Sequence, residues 1–145
     1  MKYLVLVSHG GLAAGLKTSL GMFAGDAIER VEALGIKPGE AVGDFKARIQ
    51  TWFDVKGFRP DDQFVVMADI VGGSPLTTFT SILQERGYLG TALIFGGTNL
   101  TMALTALVSM DDMDNETLSQ SILSEGNSAL QRFQLTTQAD DDDDI

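Results

Sequence analysis

Residues 3–8 read Tyr-Leu-Val-Leu-Val-Ser, and residues 64–68 read Phe-Val-Val-Met-Ala. Both are strand-length runs of apolar residues without the polar alternation of a strand wetted on one side. Such runs suit strands covered on both faces, as in a parallel sheet. Each is followed by a glycine-rich break, Ser8-His9-Gly10-Gly11 and Asp69-Ile70-Val71-Gly72-Gly73. Each break then runs into a helical pattern, and the rest of the chain repeats that alternation.

Leu12–Ala24 reads as a helix, with Leu12, Leu16, Leu20 and Phe23 on one face and Gly25 where a left-handed C-cap belongs. A second strand falls near Glu29–Leu34, and Lys37-Pro38-Gly39 is turn chemistry. A helix over Glu40–Asp54 carries Phe45, Ile49, Trp52 and Phe53 on one side, with Gly57 ending the unit. After the third strand, Ser74-Pro75 opens a helix to about Arg86, with Ser74 as its expected cap. Thr91–Phe95 is a fourth strand and Asn99–Ser109 a very apolar helix. A last helix runs over Glu116–Gln134, interrupted at Gly126. Four rounds of strand and helix imply an α/β fold, doubly wound, with a mainly parallel sheet of four to five strands and helices on both faces. Residues 1–134 form one domain. The remainder, 135–145, is an acidic tail expected to be disordered, because adjacent like charges repel one another and stay solvated.

Composition removes several classes of function. The 145 residues include no cysteine and one histidine, His9, so neither a thiol nucleophile nor a Cys- or His-paired metal site is expected. Ten Lys and Arg against twenty Asp and Glu leave a net charge of −10, half of it in Asp140–Asp144. Nucleic acid is a poor partner for such a chain. No apolar run reaches membrane-spanning length, and the N-terminus lacks a signal-peptide core, so a cytoplasmic location is expected.

In open parallel sheets, ligands bind past the C-terminal strand ends, where the strand order reverses. An order of 2-1-3-4 puts that point between strands 1 and 3, directly before His9 and Asp69. A carboxylate that accepts from one ring nitrogen fixes the imidazole tautomer and turns the other nitrogen outward. Gly10-Gly11 and Gly72-Gly73 let backbone N–H groups approach an anion, and the second pair leads into a helix N-terminus with the Ser74 hydroxyl beside it. Nucleophilic imidazole, orienting carboxylate and phosphate cradle together make a phosphohistidine site. The pattern is neither a P-loop nor a dinucleotide fingerprint, since both lack their defining spacings here.

Val7-Ser8-His9-Gly10, Asp69-Ile70-Val71-Gly72-Gly73-Ser74-Pro75 and Gly97-Thr98-Asn99-Leu100 resemble motifs of the IIA component of the mannose/fructose/sorbose-type bacterial sugar phosphotransferase system. The resemblance spans about residues 1–134. It implies a phosphotransferase that uses no cofactor and no metal, usually as a homodimer. His9 would accept a phosphoryl group from the phosphocarrier HPr and pass it to the IIB component, upstream of the membrane IIC and IID components. Asp69 would pair with His9, and Gly72, Gly73 and Ser74 would contact the phosphate. Thr101 stands where many members carry proline, and Ile70 where some carry threonine.

Three other readings fit parts of the pattern. One is the phosphotransferase subunit of dihydroxyacetone kinase, against which the Gly-Gly-Ser-Pro turn argues. Another is a receiver domain phosphorylated on Asp69, but its acidic pair after strand 1 is replaced by Ser8-His9. The third is a non-catalytic regulatory binding module, for which an intact His9 and Asp69 are unexpected.

Overall fold

The computed structural model describes residues 1–135. The acidic run Asp140–Asp144 therefore lies outside the described residues. The chain forms β1 (Lys2–His9), α1 (Leu12–Ala24), β2 (Val31–Ile36), α2 (Val42–Lys56), β3 (Gln63–Ala68), α3 (Ser74–Glu85), β4 (Leu93–Phe95), α4 (Leu100–Ser109) and α5 (Asn115–Ser128). Short 3-10 turns at Gly25–Arg30 and Leu89–Thr91 precede β2 and β4 and push both strands a little later than the apolar pattern predicts. Among the described residues the sheet has four strands, all parallel, in the order β2-β1-β3-β4.

The two unbroken runs occupy the middle of the sheet, as their composition requires. Alternate residues feed two separate cores. Leu4, Leu6, Val65 and Met67 pack on the side of α1, α4 and α5. Val5, Val7, Phe64, Val66 and Ala68 pack with Phe45, Ile49 and Phe53 of α2 and with Phe79, Ile82 and Leu83 of α3. Burying a Leu, Val or Phe side chain stabilises by about 1.5–3 kcal/mol, so sheet and helices are fastened on both faces. No helix among the described residues is long and apolar enough to cross a membrane.

Several local expectations change. The buried face of α1 is Ala13 and Leu20 with half-buried Leu16, while Leu12 and Phe23 are exposed. The apolar residues of this helix cover more than one face, and periodicity alone does not choose between them. The Ala13 amide bonds to the buried Ser8 hydroxyl at 2.8 Å, tying the start of the helix to the end of β1. Gly25 has positive φ (57°), but with ψ −135° it is not left-handed helical; the chain turns there into the 3-10 segment.

At α3, Gly73 is the N-cap and Ser74 the first helical residue, with no side-chain cap. Asn99 caps α4 by accepting from the Met102 amide at 2.9 Å. The last helix stops at Ser128, and Gly126 does not interrupt it. A Cβ at Gly126 would meet Met102 Cγ at 2.3 Å, and Asn99 Nδ2 donates to the Gly126 carbonyl at 3.1 Å. Glycine is there because α5 lies directly on α4.

Candidate functional site

The strand order brings the ends of β1 and β3 side by side, with Val7 in register with Ala68. His9 is the last residue of β1, and Asp69 follows the last residue of β3. Asp69 Oδ2 accepts from the His9 backbone amide at 2.8 Å and lies 2.9 Å from His9 Nδ1. Its other oxygen, Oδ1, accepts from the Ile70 amide at 2.8 Å. Partial burial of Asp69 pushes its carboxyl up. The bonds from the His9 amide, the His9 ring and the Ile70 amide together outweigh that, and the group sits below the ordinary carboxylate range. An ionised Asp69 is acceptor-only, so Nδ1 is the donor in this contact, and in the neutral tautomer it selects, the lone pair is on Nε2. The imidazole is 48% exposed against 13% for the carboxylate. A fixed ring with a free nitrogen therefore faces solvent.

The glycines do different things. Gly10 (φ 55°) turns the chain out of β1, and its amide donates to the Ile36 carbonyl at 2.8 Å. Gly11 is the N-cap of α1, in a conformation open to other residues. Gly72 (φ 88°) bends the 69–73 loop. Gly73 is required by proximity: a Cβ there would lie 2.8 Å from His9 Cε1. Of the predicted residues, His9, Asp69 and Gly73 are in direct apposition. Ser74 begins α3, and its hydroxyl makes no hydrogen bond among the described residues.

The roles of several supporting residues escaped the sequence reading, although Ser8, Gly97 and Thr98 stand in the motifs that carry the resemblance. Ser8 closes the turn from behind through its bond to Ala13. Gly35 leaves room for the Gly10 carbonyl, which a Cβ would meet at 2.3 Å. Gly96 leaves room for Val71 in the same way, at 2.2 Å. The Gly97 amide donates to the Asp69 carbonyl at 3.1 Å, and Thr98 Oγ1 donates to the Ala68 carbonyl at 2.7 Å. For Gly35 and Gly96 the only sequence signal is a glycine at the end of a strand. What each one clears or holds depends on which strands are neighbours.

The site is thus a carboxylate-held imidazole at the switch point of an all-parallel sheet. Residues 3–123 match the family model described as PTS system fructose IIA component, and the chain belongs to that family. It is a phosphotransfer component of a phosphotransferase system.

Among solved structures, it is similar to the mannose/sorbose specific IIA subunit of the phosphotransferase system from Enterococcus faecalis. Identity there is 25%, with 96% of this chain and 100% of that chain covered and a TM-score of 0.76. The PTS IIA protein associated with the fucose utilization operon from Streptococcus pneumoniae gives 25% identity, 90% and 92% coverage and a TM-score of 0.73. Phosphotransferase system component EIIA from Streptococcus agalactiae shares the fold at 22% identity, with 91% and 97% coverage and a TM-score of 0.73.

Proposed function

We propose that His9 is the phosphoryl acceptor of this component, taking the group on Nε2 from phospho-HPr and passing it to the IIB component that serves sugar uptake. The observation that carries this reading is the 2.9 Å contact between His9 Nδ1 and Asp69 Oδ2, which leaves Nε2 as the free nucleophile. The Nε2 lone pair attacks phosphorus as the donor's own P–N bond breaks. The ring then becomes cationic, with the proton still on Nδ1, and Asp69 stabilises that charge. Transfer onward reverses the step, with the electron pair returning to Nε2. Positioning and electrostatics carry the catalysis, since the only covalent partner is the ring nitrogen.

Gly72, Gly73 and Ser74 at the start of α3, with Gly10 and Gly11 before α1, are the groups that receive the phosphoryl oxygens. Helix N-termini favour anions through their unpaired N–H groups. The working unit is the domain of residues 1–134, acting in the cytoplasm as a homodimer.

Intact-mass analysis after incubation with phosphoenolpyruvate, enzyme I and HPr tests the reading. One phosphoryl group on wild type, absent from His9→Ala and lost in mild acid, is expected. An unlabelled wild type alongside active HPr overturns it. Adding a IIB component or a dihydroxyacetone kinase subunit as acceptor then decides which partner is served.

A further inference from the structure

Ile70 is 54% exposed and belongs to neither apolar core, yet its side chain has a defined place. The point where a Cβ on Gly73 would sit lies 2.8 Å from His9 Cε1, and 3.2 and 3.3 Å from Ile70 Cγ1 and Cδ1. Imidazole and isoleucine therefore border the same bare α-carbon, on the space a side chain at Gly73 would fill. Cε1 lies between the two ring nitrogens, and Asp69 occupies the Nδ1 side, so the apolar end of Ile70 borders the ring near the nitrogen left open.

The loop that carries Ile70 is anchored on both sides. The Ile70 amide donates to Asp69 Oδ1 at 2.8 Å, and the Gly97 amide holds the Asp69 carbonyl at 3.1 Å. Val71 sits over Gly96, whose missing Cβ makes the space. An isoleucine held half in water beside the His9–Asp69 pair adds little to core stability, which leaves its place there open to another role.

We infer that Ile70 shields one flank of phosphorylated His9 from water and so lengthens the life of the phosphoryl group. This rests on the phosphohistidine reading above. In the competing hydrolysis, a water oxygen bonds to phosphorus as the P–Nε2 bond breaks. The electron pair returns to Nε2, the ring is left neutral with its proton on Nδ1, and both water protons depart with the phosphate as dihydrogen phosphate. Water is always present, whereas the acceptor protein arrives only occasionally. An apolar wall lowers the access of water. The exposed remainder of the ring stays open to a docking partner.

The test prepares phosphorylated wild type, Ile70→Ser and Ile70→Val with phospho-HPr, removes the donor and follows loss of the label by intact mass at neutral pH. The Ser variant is expected to lose its label several-fold faster, and Val to restore the wild-type lifetime. The ¹⁵N resonance of His9 Nδ1 is recorded for each variant and is expected to stay in place. Equal lifetimes for Ser and wild type overturn the inference alone. So does a shifted Nδ1 resonance in the Ser variant, which assigns the faster loss to a displaced Asp69. A wild type that takes no label at all overturns the phosphohistidine reading and this inference with it.

Discussion

One oxygen of Asp69, Oδ2, receives both the backbone amide of His9 at 2.8 Å and its Nδ1 at 2.9 Å. The carboxylate thus fixes the end of the strand and the orientation of the ring with the same atom. An aspartate that merely capped a loop would not reach from the end of β3 to the neighbouring strand to hold the ring of a residue 60 positions away in sequence.

Asp69→Asn keeps the shape but replaces an acceptor-only group with one that can also donate. The tautomer is no longer fixed, and the cation formed on phosphorylation loses its counter-charge. Phosphorylation is expected to slow on the order of 10²- to 10⁴-fold, the range general acid–base and orienting groups contribute. Labelling time courses with phospho-HPr measure it; a rate within twofold of wild type would remove Asp69 from the mechanism.

The same carboxylate couples stability to pH. Its folded pKa lies below the unfolded value of about 3.9, so the folded state binds the proton less tightly. Its stabilisation is fully present above the unfolded pKa and is lost as pH falls through the lower folded value. Urea unfolding of wild type and Asp69→Asn between pH 6 and pH 2 is expected to show the two converging only toward the acid end. A gap that stays constant over this range contradicts the assignment.

Gly73→Ala places a methyl 2.8 Å from His9 Cε1, so the ring or the loop must move. The half-exposed ring can give way, so the loss falls on phosphorylation more than on folding. Overpacking costs about 1–3 kcal/mol where nothing yields, and the lower end applies here. Thermal melts and labelling rates on one preparation separate the two effects.

Arg48 braces the far side of the Gly10 turn. Its guanidinium bonds both oxygens of Glu40 and donates to the Gly35 carbonyl at 2.7 Å. It holds the Glu40 carboxyl down to about 2. Any stabilisation from this pair is complete above the unfolded carboxyl range and lost as pH falls through about 2. In Arg48→Met, Glu40 is expected to titrate back toward its usual value of about 4.3. Carboxyl chemical shifts followed from pH 6 to pH 1.5 check this directly.

Gly126→Ala drives a methyl into Met102 Cγ at 2.3 Å, with Met102 Sδ at 3.0 Å. Met102 is buried but flexible, so destabilisation of about 1–3 kcal/mol is expected, with α5 intact by circular dichroism. Adding Met102→Ala should recover part of it. A double-mutant cycle that shows no coupling between the two positions would contradict direct packing of α5 on α4.

The apolar runs at residues 3–8 and 64–68, the alternation around them and the order 2-1-3-4 could be read from sequence because they rest on local rules. Central parallel strands need continuous apolar residues, and short right-handed crossovers leave few orders open. That placed His9 and Asp69 at one sheet edge, together with the glycines that follow them. Beyond that pair, pattern did not supply contacts between segments. The face α1 buries depends on where Ser8 ties down Ala13. Gly126 reads as a helix breaker until Met102 is seen lying against it. Gly35, Gly73 and Gly96 look alike on paper, yet each clears space for a different neighbour: the Gly10 carbonyl, the His9 ring and Val71. Propensity and periodicity act along the chain and survive in the sequence. Close approach between segments distant along the chain is a property of the packed fold, and the tertiary structure alone decided it.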